Sequence, residues 1–365
     1  MNVNARKAER KVSKQNHSVW LATNNGEMGG GEVMLLALAR QLQDLGVSVE
    51  VVGPAHPSGL VDAAQAAGHA TVVLSASGRS GYMLELRHWR LRHPDGLLWC
   101  NGLVPSVATA LMGHRVVHLH QLPRGLQSVL VGLARRRAVA TLVPSRSMAA
   151  RLAGSHVLEN WAEEVRPVAQ QPREGTVRLG FLGRPSLEKG VGVLAAALQQ
   201  LDRQAPGRYR LVLAGEPRFT SEAAQRELEQ ALVPVSHLID RPGWMATDEF
   251  FGSIDLMVCP SLVSESFGLV VAEAMSARIP FVISDAGALP EVAGPEHPWV
   301  APAGDVEQLA QAIRGAVDGN TGNFAEKAYE RWLSRYSPPA GGERLEALLK
   351  LWGVIPSPSC SGGKA

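Results

Sequence analysis

Short apolar runs alternate with longer stretches in which apolar residues recur three and four positions apart, along most of the chain. Runs of the first kind at 17–23, 47–53, 70–74, 96–100, 115–120 and 139–143 read as strands, and stretches of the second kind at 33–45, 60–67, 82–92 and 104–112 read as helices. A polar segment, QQPREG at 170–175, interrupts the alternation. Beyond it, strands are predicted at 177–182, 209–215, 238–241 and 254–258. The matching helices are 190–204, 221–232, 267–277, 306–317, 324–336 and 342–352. Regular alternation of strand and helix implies parallel sheets covered on both faces, with ligands beyond the carboxyl ends of the strands.

Length and composition fit two such α/β units. The chain has 365 residues, 45% of them hydrophobic and 19% charged, enough for two cores of ordinary size. A net charge of +2 and a pI near 8.5 neither require nor exclude a polyanion, and no nucleic-acid partner is expected. Cys100, Cys259 and Cys360 are odd in number and far apart, which points to a reducing, cytoplasmic setting. No apolar run approaches the roughly 20 residues that span a bilayer. The leader 1–16 carries Arg6, Lys7, Arg10, Lys11 and Lys14 with no apolar block, so it does not read as a secretory signal. It and the tail 354–365 are expected to be disordered.

The candidate chemistry gathers in residues 254–291, IDLMVCPSLVSESFGLVVAEAMSARIPFVISDAGALPE. Helical phase puts apolar side chains all the way round 267–277, a buried helix with Glu273 in its middle. An unpaired carboxylate there costs several kcal/mol or gives up its charge, so Glu273 needs a partner. The first amides of that helix, at Phe267, Gly268 and Leu269, face the space past a strand end, where the helix dipole favours a phosphate. Glu265 lies just before them. In the segment GRPSLEKG, Arg184 and Lys189 share one strand-to-helix loop and can neutralise a diphosphate, the arginine bidentately and the lysine as a point charge.

Nearer the amino terminus, the run NNGEMGGGE from 24 to 32 links a strand to a helix without matching G-x-G-x-x-G, which speaks against a dinucleotide site. His118 and His120 stand at a strand end and share one side of it by alternation. Two basic stretches, 86–94 with Arg87, Trp89, Arg90 and Arg92, and 122–139 with Arg124 and Arg135 to Arg137, could meet an anionic membrane surface or a phosphorylated acceptor. A solvated helix face is the default reading of both.

The ordered block from Glu265 through Glu273, AMSARIP and GALPE resembles the Glu-x7-Glu signature of retaining glycosyltransferases with the GT-B fold, in particular glycosyltransferase family 4. The resemblance covers about 19–352. It implies two Rossmann-like, doubly wound domains facing a central cleft: an acceptor-binding domain at 17–169, a nucleotide-sugar-binding domain at 170–340, and a helix at 341–353 crossing back to the first. It implies transfer of a sugar from a UDP- or GDP-sugar to a hydroxyl acceptor, with no cofactor beyond that co-substrate. No D-x-D triplet occurs, and no metal is expected. By the same resemblance Gly30 and Gly31 belong to a Gly-Gly-x-Glu loop over the donor phosphates, and Arg184, Lys189, Phe267, Gly268 and Leu269 hold the diphosphate. Glu273 takes the ribose hydroxyls, Glu265 contacts the hydroxyls of the transferred sugar, and His120 binds sugar or acceptor.

Four positions depart from the family pattern. Gln121 replaces an Asp, Trp161 a Gly, Arg278 a Gly in AMSARIP, and Ala288 the second Gly of GALPE. If the backbone at 278 has positive φ, a side chain there costs about 1 kcal/mol or more. A GT-B protein that binds without turnover therefore stays open. A double-displacement hydrolase is disfavoured because Glu273 sits behind the phosphate site. A nicotinamide dehydrogenase is disfavoured by the missing glycine fingerprint.

Overall fold

A computed structural model describes residues 18–123, 125–168, 175–216, 221–319 and 321–356. The leader, Arg124, the linker at 169–174 and the tail from 357 lie outside the described residues. The chain forms two compact units. One comprises residues up to Val143, Leu152–Leu158 and residues from Gly342 onward; the other comprises Pro144–Arg151 and Glu159–Gly341.

The first unit is built on a seven-stranded sheet in the order β3-β2-β1-β4-β5-β6-β7. Its strands are β1 (Ser18–Ala22), β2 (Ser48–Pro54), β3 (Ala70–Leu74), β4 (Leu97–Asn101), β5 (Arg115–His118), β6 (Ala140–Val143) and β7 (His156–Val157). Every pairing is parallel; Val19 of β1 lies between Val49 of β2 and Leu97 of β4. The chain winds outward from β1 to β3 and then returns to β4, so β1 and β4 flank the switch point. Helix Gly30–Asp44 buries Met34, Leu35, Leu38 and Leu42, the helical spacing read from the sequence. Helix Leu103–Ala108 stops short of the expected 112, because Leu111 turns the chain with φ +68° ahead of β5.

The second unit carries a six-stranded parallel sheet in the order β10-β9-β8-β11-β12-β13. The strands are β8 (Val177–Leu182), β9 (Tyr209–Ala214), β10 (Ile239–Gly243), β11 (Leu256–Cys259), β12 (Phe281–Ser284) and β13 (Val300–Ala301). Here the switch point lies between β8 and β11. Residues 144–151 and 159–168 pack with this sheet, ahead of the polar linker. Trp161 shows why: its indole is buried, and a Cβ on Gly341 would stand 2.3 Å from it. Arg335 pairs with Glu159 close by, and Ala162 N–H donates to the Tyr336 carbonyl.

Helix Pro338–Leu351 begins in the second unit, and its residues from Gly342 on count with the first, where Trp352 meets Trp99 with ring centres 5.9 Å apart. The pieces that periodicity misses are short ones: helices Thr247–Gly252 and Leu289–Ala293, and the two-residue edge strands β7 and β13. None is long enough to show a period. Among the described residues no helix is long and apolar enough to cross a membrane.

Candidate active site

In the second unit the predicted residues collect on loops at the carboxyl ends of β8, β11 and β12, the neighbours at the switch point. The loop after β8 turns through Gly190, whose φ is +77° and whose missing side chain makes room for the Pro260 carbonyl; a Cβ would stand 1.8 Å from that oxygen. With the two loops in contact, Leu262 N–H donates to the Glu188 carbonyl at 2.9 Å. Lys189 is thereby aimed across the gap. Its Nζ lies 2.6 Å from Glu265 Oε1, which also accepts from Ser261 Oγ at 2.8 Å. Arg184 is exposed, leaving its guanidinium at the loop surface.

Glu265 is held from its other side by the loop after β12. It forms an isolated parallel bridge with Gly287, and its carbonyl accepts from Ala288 N–H at 2.9 Å. Gly287 has φ +65°, and a Cβ there would stand 2.4 Å from the Glu265 carbonyl, so the first glycine of this loop is required. Ala288 takes an ordinary right-handed conformation, φ −86°, and needs no glycine.

The helix of the motif runs over Leu269–Ser276, two residues later than its predicted start. Gly268 caps it with φ +96°, a conformation that favours glycine. Phe267 precedes the helix, and its ring is buried edge-on against Tyr336 at 5.3 Å. Phe267 is thus a core residue by its side chain. The free first-turn amides are those of Gly268, Leu269 and Val270, which have no acceptor among the described residues. Leu269 and Val270 are half-buried, so the helix is not enclosed all round as predicted. One turn on stands Glu273, also half-buried. Burial alone pushes its carboxyl up to about 7, and among the described residues no side chain donates to it.

The first unit brings a second set together at its own switch point. Helix Gly30–Asp44 starts at the exposed Gly30, and space is open around Gly31. Buried Glu32 folds back toward Gly29; desolvation raises its pKa against hydrogen bonds from Asn25 and the local backbone. Asn101, at the end of β4, turns its amide N–H toward the Gly31 carbonyl at 3.4 Å. Its Oδ1 is therefore the acceptor for His120 Nε2–H, 2.6 Å away. His118 is fully buried, receives Trp99 Nε1–H at 3.3 Å and lies against the half-buried His120, the rings tilted with their centres 4.2 Å apart. Burial lowers the His120 pKa to about 4 and holds that of His118 well below the ordinary imidazole value, with His120 adding to the second shift. Of the two histidines only His120 reaches solvent.

Sequence reasoning missed Asn101 and Ser261, which orient His120 and Glu265, and Glu291, whose carboxylate accepts from the N–H groups of Arg146 and Ser147 at 2.8 Å each. Asn101 had a signal: a polar residue ending an apolar strand just before a glycine. The basic stretch 86–94 is not a basic surface throughout. Arg90 is buried and donates to the carbonyls of His93, Gly96, Gly113 and His114.

The profile of the family described as Glycosyl transferases group 1 matches residues 176–318, within the second unit. The glycogen synthase of Mycobacterium tuberculosis H37Rv is 28% identical over 264 residues, 71% of this chain and 53% of that protein. The chain spans about half the length of the first curated relatives it matches. The 2-deoxystreptamine N-acetyl-D-glucosaminyltransferase of Streptomyces fradiae is 28% identical over 86% of this chain and 92% of its own length. Among solved structures, HepE of Anabaena in complex with UDP-glucose superposes with a TM-score of 0.79 at 20% identity, covering 92% of this chain and 99% of that one. The likeness is one of fold.

Proposed function

We propose that this chain, whose second unit matches the group 1 glycosyl transferases and whose fold is GT-B, is a retaining hexosyltransferase that moves a sugar from a UDP- or GDP-sugar to a hydroxyl acceptor without a metal. One observation carries the reading. A half-buried carboxylate, Glu273, stands one turn inside a helix whose first amides, like that carboxylate, have no partner among the described residues, beside a loop that supplies Lys189 and Arg184. A nucleoside diphosphate answers both needs at once, offering phosphate oxygens to the amides and cations and ribose hydroxyls to Glu273.

Charge develops on the leaving diphosphate as the glycosidic bond breaks. Preorganised amides and cations aimed at it stabilise that charge more than they stabilise the ground state. Glu265 would contact the hydroxyls of the sugar. His120, neutral at ordinary pH, would hydrogen-bond sugar or acceptor, with Gly30 and Gly31 letting the donor phosphates approach the first helix. The leaving phosphate would take the acceptor proton on the face it departs from, which retains configuration. Buried thiols at Cys100 and Cys259 suit a cytoplasmic enzyme.

The test is release of nucleoside diphosphate from UDP-, GDP- and ADP-sugars in EDTA, alone and with candidate hydroxyl acceptors. Turnover of one donor that is lost in Glu273→Ala and Lys189→Ala supports the reading. Nucleotides that raise the melting temperature with no release under any condition would mean a binding protein. Silence in both measurements sinks the donor site itself.

A further inference from the structure

Helix Gln127–Arg135 turns apolar side chains outward. Val131 and Ala134 are buried beneath it, yet Leu126 is 85% exposed, Val129 72%, Leu130 41% and Leu133 37%. Positions 126, 129, 130 and 133 fall on one helical face, so these are a continuous stripe rather than scattered surface residues. The default reading of this basic stretch, a solvated polar face, does not fit. Contiguous exposed apolar surface of this kind marks an interaction site.

Charge identifies the occupant. No Asp or Glu occurs between Asp95 and Glu159. Of the arginines in that stretch of the first unit, Arg115 is buried on four carbonyl contacts and Arg135 is tied to Thr141 and the Ala153 carbonyl. Arg136 and Arg137 are exposed where the apolar stripe ends. An apolar stripe edged by cations, with no carboxylate near in sequence, is the pattern of a helix lying in the plane of an anionic bilayer, its leucines among the acyl chains and its arginines at the headgroups. A second copy fits poorly, because a two-fold contact would lay this arginine-ended helix, which carries no acidic residue, against itself. So does the chain's own leader, whose charges are mostly positive.

We infer that the outward face of helix Gln127–Arg135, with Arg136 and Arg137, docks the protein on anionic lipid. The surface is independent of the transferase reading, since docking is measured without any sugar nucleotide. The experiment is flotation of the full chain with phosphatidylcholine vesicles, with and without phosphatidylglycerol. Wild type floats with the anionic vesicles and stays behind with the neutral ones. Leu126→Gln/Val129→Gln stops flotation with no change in melting temperature, because both side chains already face water. Each of Arg136→Gln and Arg137→Gln lowers partitioning about fivefold. The inference is overturned if wild type does not float with anionic vesicles, or if the Leu126/Val129 variant floats like wild type. It is also overturned if flotation depends on residues 1–17 alone. A dimer that dissociates in the Leu126/Val129 variant, with no flotation in either protein, assigns the stripe to self-association instead.

Discussion

Lys189 Nζ lies 2.6 Å from Glu265 Oε1, so the cation of one loop and the first carboxylate of the Glu-x7-Glu motif are already paired before any ligand arrives. A diphosphate that recruits Lys189 has to compete with Glu265, which keeps Ser261 Oγ as a donor when the lysine leaves. The two residues should then separate in kinetics. Lys189→Ala is expected to weaken nucleoside diphosphate binding about tenfold or more by calorimetry, the loss of one charge-assisted contact. Glu265→Gln is expected to leave that binding within about threefold while kcat falls on the order of a hundredfold. Equal loss of binding in both variants would place Glu265 on the diphosphate rather than on the sugar.

Glu273 links stability to function with a defined sign. Its folded pKa, about 7, lies above the unfolded carboxyl value of about 4.3. The folded state therefore holds the extra proton, and stability from this group is complete below about pH 4.3 and is lost as pH rises through 7. Glu273→Gln removes the ionisable group, so it is expected to raise stability at pH 8 by about 2 kcal/mol and to change it little at pH 5. Nucleoside diphosphate binding should fall in the same variant. Urea unfolding of wild type and variant at the two pH values checks the first claim, and a gain over wild type no larger at pH 8 than at pH 5 contradicts it.

The sheets were legible because buried parallel strands are continuous apolar runs, and the donor loops because their glycines and charges sit at strand ends. Helix starts were less so. Phe267 looks like a first-turn residue, but Gly268 takes a left-handed conformation and the helix begins only at Leu269. Nothing local in the sequence pairs Lys189 with Glu265, 76 positions away, or His120 with Asn101, 19 away. Those contacts come from strand order, which brings β8 beside β11 and β4 beside β5. The exposed face of helix Gln127–Arg135 was hidden for a related reason: a sequence shows that a residue is apolar, but not which side of the helix finds a neighbour.

Asn101 acts on His120 through one hydrogen bond, and changing its charge should expose that. The imidazole, lowered to about 4 by burial, stays neutral through the working pH range. A His lowered in this way contributes stability that is complete above about pH 6.5 and lost as pH falls toward 4. In Asn101→Asp a carboxylate replaces the amide beside Nε2, which favours the imidazolium and raises the pKa. The His120 ring protons, followed by NMR, should titrate above about pH 6 in the variant and show no inflection above about pH 5 in wild type. A variant that titrates like wild type would mean the pair is not formed in solution.

Arg278 is the departure from the family pattern that carries strain, with φ +56°. Its position explains the angle. Arg278 N–H donates to the Met275 carbonyl and Ile279 N–H to the Ala274 carbonyl, the paired bonds of a left-handed helix C-cap in which glycine is usual. A side chain there costs about 1 kcal/mol. The arginine offsets that cost with contacts glycine lacks: its guanidinium lies 3.4 Å from the centre of the Tyr329 ring, and Nε stands 3.1 Å from Glu326. Arg278→Gly trades contacts for relief and is expected to change stability by less than about 0.5 kcal/mol. Arg278→Ala keeps the strain and loses the contacts, and is expected to cost about 1 kcal/mol. Urea unfolding of both variants checks the order. Transfer activity should match wild type in each, since the cap lies at the end of the helix away from Gly268 and Leu269. If Arg278→Gly instead raised activity severalfold, the arginine would be a constraint on the donor helix rather than a cap held in place by Tyr329 and Glu326.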